Sequence, residues 1–395
     1  MKYDFDHIVD RRGSGCVKYD DRSAFGNADI IPLWIADMDF EAPDFICDAI
    51  ARRAAHRVFG YGMRSESYYR AIMSWVKRRN GWDIDGSWLD FTPGVVAGFV
   101  FALRALSAPG DGIVIMPPVY PPFAAQIKAN DRRVVENPLV PEAGNYRIDF
   151  DDLDRKLEQA TVLLLCNPHN PTGRVFTTQE LTRIAALCRK HGVHIVSDEI
   201  HSDLVFAPGR HTHIGALCTE GQKCITLIAP TKTFNIAGLS TSTAITPDPA
   251  ARQALRTELG RYHVEQGNVF GTAALIAAYN DGEEWLDQML EYVHANMEFA
   301  LRFFRERLPQ IEAHIPEGTY LLWLDLRGLG MEHEELLRFM AHEAGVGLND
   351  GSAFGPQGRG FMRMNMATSR ALIEQALRQI ETAWKARETE RAQER

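Results

Sequence analysis

Residues Cys224–Gly238 read CITLIAPTKTFNIAG, an apolar run followed by a polar loop that carries one lysine, Lys232, between two threonines. The apolar run ends at a proline, so it predicts a buried strand with Lys232 just beyond its carboxyl end. An ammonium group packed there among small residues is costly unless it has a partner or a task. Screened from water, a lysine at this place can have a lowered pKa and act as an amine nucleophile or base.

Short apolar runs alternate with helical stretches on both sides of this segment. We expect strands at WLDF, GIVIM, RRVVEN, TVLLLC, VHIVSD, CITLIA and STSTAI, and Thr177 with Glu180 predicts a capping box before one helix. Strands separated by helices indicate an α/β fold with a mainly parallel sheet whose two faces are covered.

The pattern of apolar and polar residues changes after about Asp281. A long amphipathic helix and the runs TYLLWLDL and FMRMNMA then predict a smaller α+β lobe. The N-terminal segment through IPLWIADMDF is expected to pack with that lobe and to close the site. We therefore predict a large domain over residues 48–284 and a small domain formed by residues 1–47 and 285–391.

The composition excludes several classes of protein. The 395 residues include 43 Lys and Arg against 52 Asp and Glu, a formal charge of −9 without a long basic stretch, which argues against nucleic acid or an anionic membrane as partner. No apolar run is long enough to suggest a membrane span, and the charged start MKYDFDHIVDRR lacks the apolar core of a signal peptide. The six scattered cysteines favour free thiols over disulfides or zinc, so we expect a cytoplasmic protein.

Unusual polar residues follow five of the predicted strands. The loops that carry them are TPGVV, PPVYPP, NPHNPTG, SDEIHSD and PTKTF. Ligands of open α/β sheets bind beyond the carboxyl ends of the strands, so these five loops are expected to meet at one site.

The residue types in these loops indicate a particular cofactor. Asp198 ends an apolar strand and needs a cationic partner, and the turn Gly94–Val96 opens a helix whose N–H groups suit a phosphate. Tyr120, between two Pro pairs, could offer a stacking face, and Arg363 in the late strand FMRMN could hold a carboxylate with two hydrogen bonds. Together with an imine-forming Lys232, these groups describe pyridoxal 5'-phosphate (PLP) holding an amino acid.

Over almost its whole length the chain resembles the fold-type I, class I/II aminotransferase superfamily of PLP enzymes. The motifs CNPHNPTG, SDEIHSDLVF, PTKTFNIAGL and RMNMATSR appear in the order and spacing of that family. Within it, IPLWIADMDFEAP, FGYG and SDEIHSD resemble the MalY/PatB-type cystathionine β-lyases, which are C–S lyases. The resemblance implies a large domain with a mainly parallel seven-stranded sheet covered by helices, a smaller α+β domain, and a homodimer with shared active sites.

The resemblance also implies roles around the cofactor ring. The catalytic residues would be Lys232, Asp198 and Tyr120. Lys232 would hold the cofactor covalently and move protons, Asp198 would pair with the pyridinium nitrogen, and Tyr120 would stack on the ring. Asn170 would bond the pyridine O3′, and His201 falls where many relatives have a tyrosine at the same oxygen.

Other matching positions concern the phosphate and the substrate. The backbone of Val95–Val96, with Thr231, would bind the phosphate, and Tyr61 would reach phosphate and substrate from the other subunit. Arg363 would bind the α-carboxylate of the substrate, helped by the backbone near Ala36.

Two positions depart from the family pattern. Ala229 replaces a hydroxyl residue that often touches the phosphate, and Ser240 stands where aminotransferases of this class carry a phosphate-binding arginine. The second departure fits the lyase branch and implies weaker phosphate anchoring, which Tyr61 or water would make up.

Simpler interpretations of single motifs remain open at this stage. The carboxylates and the histidine of SDEIHSD could form a metal cluster, but adjacent strand residues point to opposite faces, so Asp198 and Glu199 would diverge and we expect no metal. Arg370 is a rival to Arg363 as the carboxylate clamp, although it lies at a predicted helix start, where it would face solvent. The histidines of HTH, at positions 211 and 213, are expected to be surface or core residues.

The reaction that the resemblance implies is β-elimination from a sulfur-containing amino acid, giving a thiol, pyruvate and ammonia. An aminotransferase shares every step through removal of the Cα proton, so the residues indicate the cofactor more firmly than the reaction. A PLP-bearing regulator that acts by binding a protein is a third hypothesis, although it would not need the lysine, the aspartate and the carboxylate clamp together.

Overall fold

The computed structural model describes residues 2–393. Within them the strands are β1 Ile31–Pro32, β2 Leu89–Thr92, β3 Gly112–Ile115, β4 Arg133–Glu136, β5 Val140–Glu142, β6 Asn145–Arg147, β7 Val162–Cys166, β8 His194–Asp198, β9 Cys224–Ile228, β10 Ser242–Ile245, β11 Glu312–Ala313, β12 Leu321–Asp325, β13 Val346–Gly347, β14 Asn349–Asp350 and β15 Phe361–Asn365. The α-helices are α1 Val17–Asp20, α2 Asp44–Ala55, α3 Glu66–Asn80, α4 Val95–Leu106, α5 Pro122–Ala129, α6 Phe150–Leu157, α7 Thr178–His191, α8 Pro230–Thr233, α9 Pro249–Arg261, α10 Val269–Asp281, α11 Glu283–Arg307, α12 His333–Arg338 and α13 Arg370–Gln393.

The central sheet has seven strands in the order β2-β10-β9-β8-β7-β3-β4, and each of the seven predicted runs supplies one of them. The neighbouring pairs from β9 to β4 are parallel, whereas β10 is antiparallel to both β2 and β9. Strands β7 and β9 are buried at every residue, which explains their continuous apolar sequence. The predicted α/β fold with a mainly parallel seven-stranded sheet is therefore confirmed.

Helices cover this sheet and fix the ends that matter for the site. The capping box predicted before α7 is present: the Thr177 side chain accepts from the Glu180 N–H, and the Glu180 carboxylate accepts from the Thr177 N–H. Helix α4 lies close on the sheet because Gly98 has no side chain, and a Cβ there would come within 2.9 Å of Leu227 and Thr92. The close approach sets the helix start over the strand ends.

A second sheet, antiparallel in the order β11-β12-β15-β14, forms beyond α11. The N-terminal segment joins this part of the chain, since Ile31 pairs in parallel with Val346 and Pro32 with Gly347. The predicted domain limits at residues 47/48 and 284/285 fall inside α2 and α11, so each of these helices continues across a proposed limit. The division into two domains stays a prediction.

None of the helices in the described part of the chain is both long enough and apolar enough to span a membrane.

Candidate active site

A cavity of about 490 Å³ lies at the carboxyl ends of the central strands. The five predicted loops all contribute to it, as does the segment around Ala36. Its lining includes Trp34, Ala36, Gly94, Val95, Val96, Tyr120, Asn170, Asp198, His201, Thr231, Lys232, Ser240, Asn349 and Arg363. Ten of the eleven predicted site residues therefore share one cavity, and Tyr61 is the exception.

Lys232 sits in the single helical turn α8, which begins directly after β9. Its Nζ donates a hydrogen bond to the main-chain oxygen of Ala36, and the Tyr320 hydroxyl donates to the same oxygen over 2.9 Å. Burial lowers the pKa of Lys232 to about 8, against an opposing influence of the Asp37 carboxylate. A lysine with this pKa is partly neutral near pH 8, as a nucleophile or general base must be.

Asp198 ends β8 and is buried, with 4% of its surface exposed. Its Oδ1 accepts a hydrogen bond of 3.1 Å from the Ile200 N–H. Burial raises the pKa of Asp198 to about 7, and among residues 2–393 no cationic side chain forms an ion pair with it. A buried carboxylate in this condition is suited to a cationic group brought by a ligand.

The start of α4, which lines the cavity, is suited to receive an anion. Gly94 precedes α4 with φ 103°, a backbone conformation that favours glycine, and Val95 and Val96 open the helix. The N–H groups of a first helical turn have no partner inside their own helix, and the helix dipole favours negative charge there. Thr231 and Ser240 line the same cavity, so both hydroxyls are available at this site.

Arg363 lies in β15 and is 3% exposed. Its Nη1 donates to Oδ1 of Asn170 over 2.9 Å, and its Nη2 donates to the Trp34 main-chain oxygen and to Oδ1 of Asn349, both over 2.8 Å. The Nε atom of Arg363 is buried without a partner. Burial lowers the pKa of this guanidinium to about 10, so it remains a cation at neutral pH.

Two rings complete the cavity lining. Tyr120 is half-buried there, and burial together with the Asp198 carboxylate raises its pKa to about 12, so the phenol stays neutral. Burial, with the neighbouring Lys232, lowers the pKa of His201 to about 3, and its Nδ1 has no partner among the described residues. A neutral imidazole with a free ring nitrogen can exchange a hydrogen bond with a ligand oxygen.

These features fit pyridoxal phosphate. The cavity combines a lysine of lowered pKa, a buried carboxylate without a cation, a helix N-terminus for the phosphate, and orphaned polar atoms on His201 and Arg363. Each of these groups could bind a different part of the cofactor or of an attached amino acid.

Two predicted residues lie elsewhere than the cavity. Tyr61 is 96% exposed in an apolar stretch with Phe59 and Met63, away from the cavity of its own chain. Arg370 was expected to face solvent, and that prediction is wrong: it is half-buried and its Nε donates to Oδ1 of Asn296 over 2.7 Å. That bond joins the start of α13 to α11, so Arg370 has a structural role there.

Glu199 diverges from Asp198, as strand alternation predicts, and meets two histidines behind the sheet end. Its Oε2 accepts from His211 Nε2 over 2.7 Å and also from His213 Nδ1, and all three side chains are buried. These three ligand-type atoms lie within 4.8 Å of one another. Ligands of a tetrahedral zinc ion stand roughly 3.3 Å apart when each is about 2.0–2.1 Å from the metal, so the shorter contact is that of a hydrogen bond.

Sequence reasoning did not identify Trp34, Tyr320 or Asn349, although all three contact the predicted site residues. Nothing about a lone tryptophan or asparagine marks it as part of a site. Asn349 in particular is recognisable only once β14 is paired with β15, which sets it opposite Arg363.

A larger cleft of about 710 Å³ lies between the end of α3, the segment after β8 and α11. Arg78, Arg79 and Arg210 line it together with Glu283 and Asp287. It lacks the strand-end constellation of lysine, aspartate and helix N-terminus, so the smaller cavity is the candidate active site.

Comparison with known proteins places this constellation in context. The family model described as aminotransferase class I and II matches residues 28–380. Cystathionine beta-lyase PatB of Bacillus subtilis (strain 168) is 40% identical over 383 residues, which cover 96% of this chain and 99% of that protein. Protein MalY of Escherichia coli (strain K12) is 34% identical and covers 95% of this chain and 97% of its own.

A solved structure gives the same result in three dimensions. Cystalysin from Treponema denticola, whose crystal structure contains a pyridoxal 5'-phosphate cofactor, superposes with a TM-score of 0.93. It is 34% identical, and the match covers 98% of this chain and 100% of that one.

Proposed function

The chain belongs to the aminotransferase class I and II family, and from that premise we propose that it is a PLP-dependent C–S β-lyase. Its substrates are cystathionine or related cysteine S-conjugates, and its products are a thiol, pyruvate and ammonia. One observation carries the proposal: the strand-end constellation is intact in a chain that matches a cystathionine β-lyase along 96% of its length.

PLP is the cofactor of this enzyme, and when bound it draws electrons from the Cα of an amino acid attached to it. We assign its retention to the five loops that line the cavity. Lys232 would hold the aldehyde carbon and Asp198 the ring nitrogen, while the first turn of α4 with Thr231 would bind the phosphate. Asn170 and His201 would bond the ring oxygen, and Tyr120 would stack on the ring.

The chemical step needs a base and a fixed substrate. Lys232, neutral in part because burial lowers its pKa to about 8, removes the Cα proton. Arg363 holds the α-carboxylate through its guanidinium, and Tyr120 and His201 in the cavity lining stay neutral. With the Cα proton gone, the bond from Cβ to sulfur breaks and thiolate leaves.

The active unit is proposed to be a homodimer. Tyr61, Met63 and Phe59 are 96%, 84% and 58% exposed, and an apolar stretch of this kind is normally covered in the native assembly. A second copy lying on this stretch would bring Tyr61 to the phosphate end of its partner's cavity. The two-domain division at residues 48–284 is proposed with it, and the six free cysteines support a reducing, cytoplasmic location.

The test separates the lyase from the aminotransferase. Purified enzyme receives cystathionine, cystine or S-alkyl cysteines in one series, and alanine, aspartate or glutamate with a 2-oxo acid acceptor in another. We expect pyruvate from the first series, with a thiol from cystathionine and S-alkyl cysteines and cysteine persulfide from cystine, at a rate that greatly exceeds amino-group exchange in the second. Rapid exchange with little pyruvate would assign the aminotransferase reaction instead, and neither activity in cofactor-loaded protein would favour a binding role.

A further inference from the structure

A strap formed by residues Trp34–Phe40 runs between the elements that carry Lys232 and Arg363. Asn235, three residues after the lysine, donates two hydrogen bonds of 3.0 and 2.7 Å to main-chain oxygens of the strap and accepts one of 3.0 Å from it. Asn365, two residues after the arginine, donates two more, of 2.7 and 2.5 Å. The oxygens that accept these bonds belong to Ile35, Asp37, Met38 and Phe40.

Two cations from the N-terminal segment fasten the same strap from outside. The Arg11 guanidinium donates to both oxygens of Asp37, over 3.2 and 2.8 Å, and to Oδ1 of Asp39 over 2.7 Å. Lys18 donates from Nζ to Asp39 Oδ1 over 3.0 Å and to the Asp37 main-chain oxygen over 3.3 Å. The Lys18 side chain is fully buried and that of Asp39 is 8% exposed, so the four charges balance where water does little to screen them.

This ion-pair cluster lies one residue from the atom that Lys232 contacts. The Ala36 oxygen, which accepts from Lys232 Nζ, is covalently next to Asp37 in the strap. The charged and titratable groups that face the Lys232 amine are Asp37, Asp198, Arg363, Lys18, His201 and Tyr320. Asp37 favours the ammonium form of Lys232, and Lys18 and Arg363 oppose it.

We propose that Arg11 and Lys18 are positioning residues for the proton transfer: paired with Asp37 and Asp39, they hold the strap on Lys232 and set how readily its amine carries a proton. The proposal rests on the proposed function in one respect, that Lys232 is the residue that moves the substrate proton. Neither cation lines the candidate active-site cavity, so neither is proposed to touch the substrate or the cofactor.

The direction in which the proton affinity of Lys232 changes distinguishes an effect of the charges from a purely mechanical effect of the strap. Without the Arg11 charge, Asp37 is less neutralised and stabilises the ammonium form, so the proton affinity of Lys232 rises. Without the Asp37 charge, Arg11 and Lys18 share Asp39 alone, one positive charge is left unbalanced, and the proton affinity of Lys232 falls. A loosened strap would instead admit water in both variants and return Lys232 towards an ordinary lysine, which is a rise in each case.

The experiment measures the Lys232 amine directly in cofactor-free protein. Cyanate carbamylates only the neutral amine, and the rate at Lys232 is followed by peptide mass spectrometry across pH. We expect the midpoint to rise by about one pH unit in Arg11→Gln and to fall by about one unit in Asp37→Asn, the size expected for one nearby buried charge. Arg11→Lys should restore most of the original midpoint, and Arg12→Gln, at an exposed neighbour that pairs with Asp10, should leave it unchanged.

Thermal unfolding identifies variants that do not fold. If Asp37→Asn is one of them, Asp39→Asn removes a charge from the same pair of cations and should also lower the midpoint. A rise in both aspartate variants, or no change in any variant, overturns the proposal. The pH profile of kcat for thiol release should shift in the same direction as the midpoint with KM little altered. A failure of the lyase assay would leave the cyanate result standing, so the two proposals fail separately.

Discussion

Arg363 and Asn170 are joined by a hydrogen bond of 2.9 Å between Nη1 and Oδ1. Arg363 belongs to the small antiparallel sheet, whereas Asn170 lies in the loop after β7 of the central sheet. The bond therefore couples the residue proposed to hold the substrate carboxylate to the residue proposed to hold the ring oxygen of the cofactor. On the proposed assignment, this one pair of side chains links the position of the substrate to that of the cofactor.

Replacing Arg363 by Lys keeps the charge but removes the planar fork. We expect the KM for cystathionine to rise about 10- to 100-fold, the equivalent of losing a charge-assisted hydrogen bond worth roughly 1.5–3 kcal/mol. Inhibition by the matching S-conjugate of cysteamine, which lacks the carboxylate, should hardly change. Equal losses for both compounds would show that the clamp lies elsewhere. Steady-state kinetics and inhibition constants provide the two measurements.

Lys232→Ala should lose covalent retention of the cofactor. Borohydride treatment of the native protein should fix pyridoxal on the peptide that contains Lys232, and the variant should show no such adduct and no thiol release. Lys128→Ala is a useful comparison, because it removes an exposed lysine outside the cavity and should keep the adduct. Turnover near the native rate in Lys232→Ala would contradict the assignment.

Asp198→Asn should separate stability from function. Because burial raises the pKa of Asp198 to about 7, the folded protein keeps a proton that the unfolded chain has lost above pH 4. Cofactor-free protein therefore loses stability from this group as pH rises from about 4 to 7. Asparagine cannot ionise, so the variant should be more stable at pH 8 by as much as about 4 kcal/mol and little changed at pH 4.

Urea unfolding of the cofactor-free proteins at the two pH values measures this difference, with Asp29→Asn at an exposed carboxylate as the control. The same variant should bind PLP more weakly than the native protein, since the partner of the pyridinium nitrogen is gone. Equal stability gains at both pH values would show that ionisation of Asp198 is not their cause.

Much of the fold was predictable because short local sequence patterns mark its strands and helices. Seven apolar runs, each bounded by turn residues, predicted the seven strands of the central sheet, and Thr177 with Glu180 predicted the start of α7. The site followed from position, because parallel strands bring their carboxyl ends to one edge. The antiparallel direction of β10 was not predicted, because the sequence of a strand does not show how its neighbours run.

Contacts between distant segments could not be predicted in this way. The pairing of Arg11 with Asp37 and of Glu199 with two histidines depends on how loops without regular structure return to the core. In the sequence each of these residues resembles an ordinary surface charge or an isolated histidine. Their burial becomes visible only when the strap and the segment after β8 are folded against the sheets.

Tyr61 is expected to complete the site of a partner subunit. Tyr61→Phe should weaken PLP affinity without altering the fold, because the side chain is exposed in its own chain. In mixed dimers of Tyr61→Phe with Lys232→Ala, one of the two cavities has both its lysine and its partner tyrosine intact. Activity should therefore reappear on mixing two weak variants. Full activity in a protein shown by sedimentation to be monomeric would contradict the shared site.

Ser240→Arg tests why the reaction ends in elimination. Ser240 lines the cavity at φ 44°, in the left-handed region, and the family resemblance implies that aminotransferases of this class carry an arginine at its position. A transaminase must retain a cofactor form that has no covalent bond to lysine, so phosphate contacts alone hold it. An added arginine can contribute a charge-assisted hydrogen bond of roughly 1.5–3 kcal/mol, and because Ser240 already has a φ of 44°, the exchange adds little backbone strain.

The variant is therefore expected to lose PLP more slowly on dialysis while its reaction stays the same. Cleavage of cystathionine should continue at a rate within about a factor of three of the native one, since the base and the carboxylate clamp are untouched and a factor of three is well under 1 kcal/mol. Amino-group exchange with alanine, aspartate or glutamate should remain minor, because the substitution adds a phosphate contact and leaves the residues around Cα as they are. Ser240→Gln, which adds length without charge, is the control for retention. A Ser240→Arg enzyme that exchanges amino groups rapidly would show that phosphate anchoring alone selects the reaction, and the residues around Cα would then lose that role.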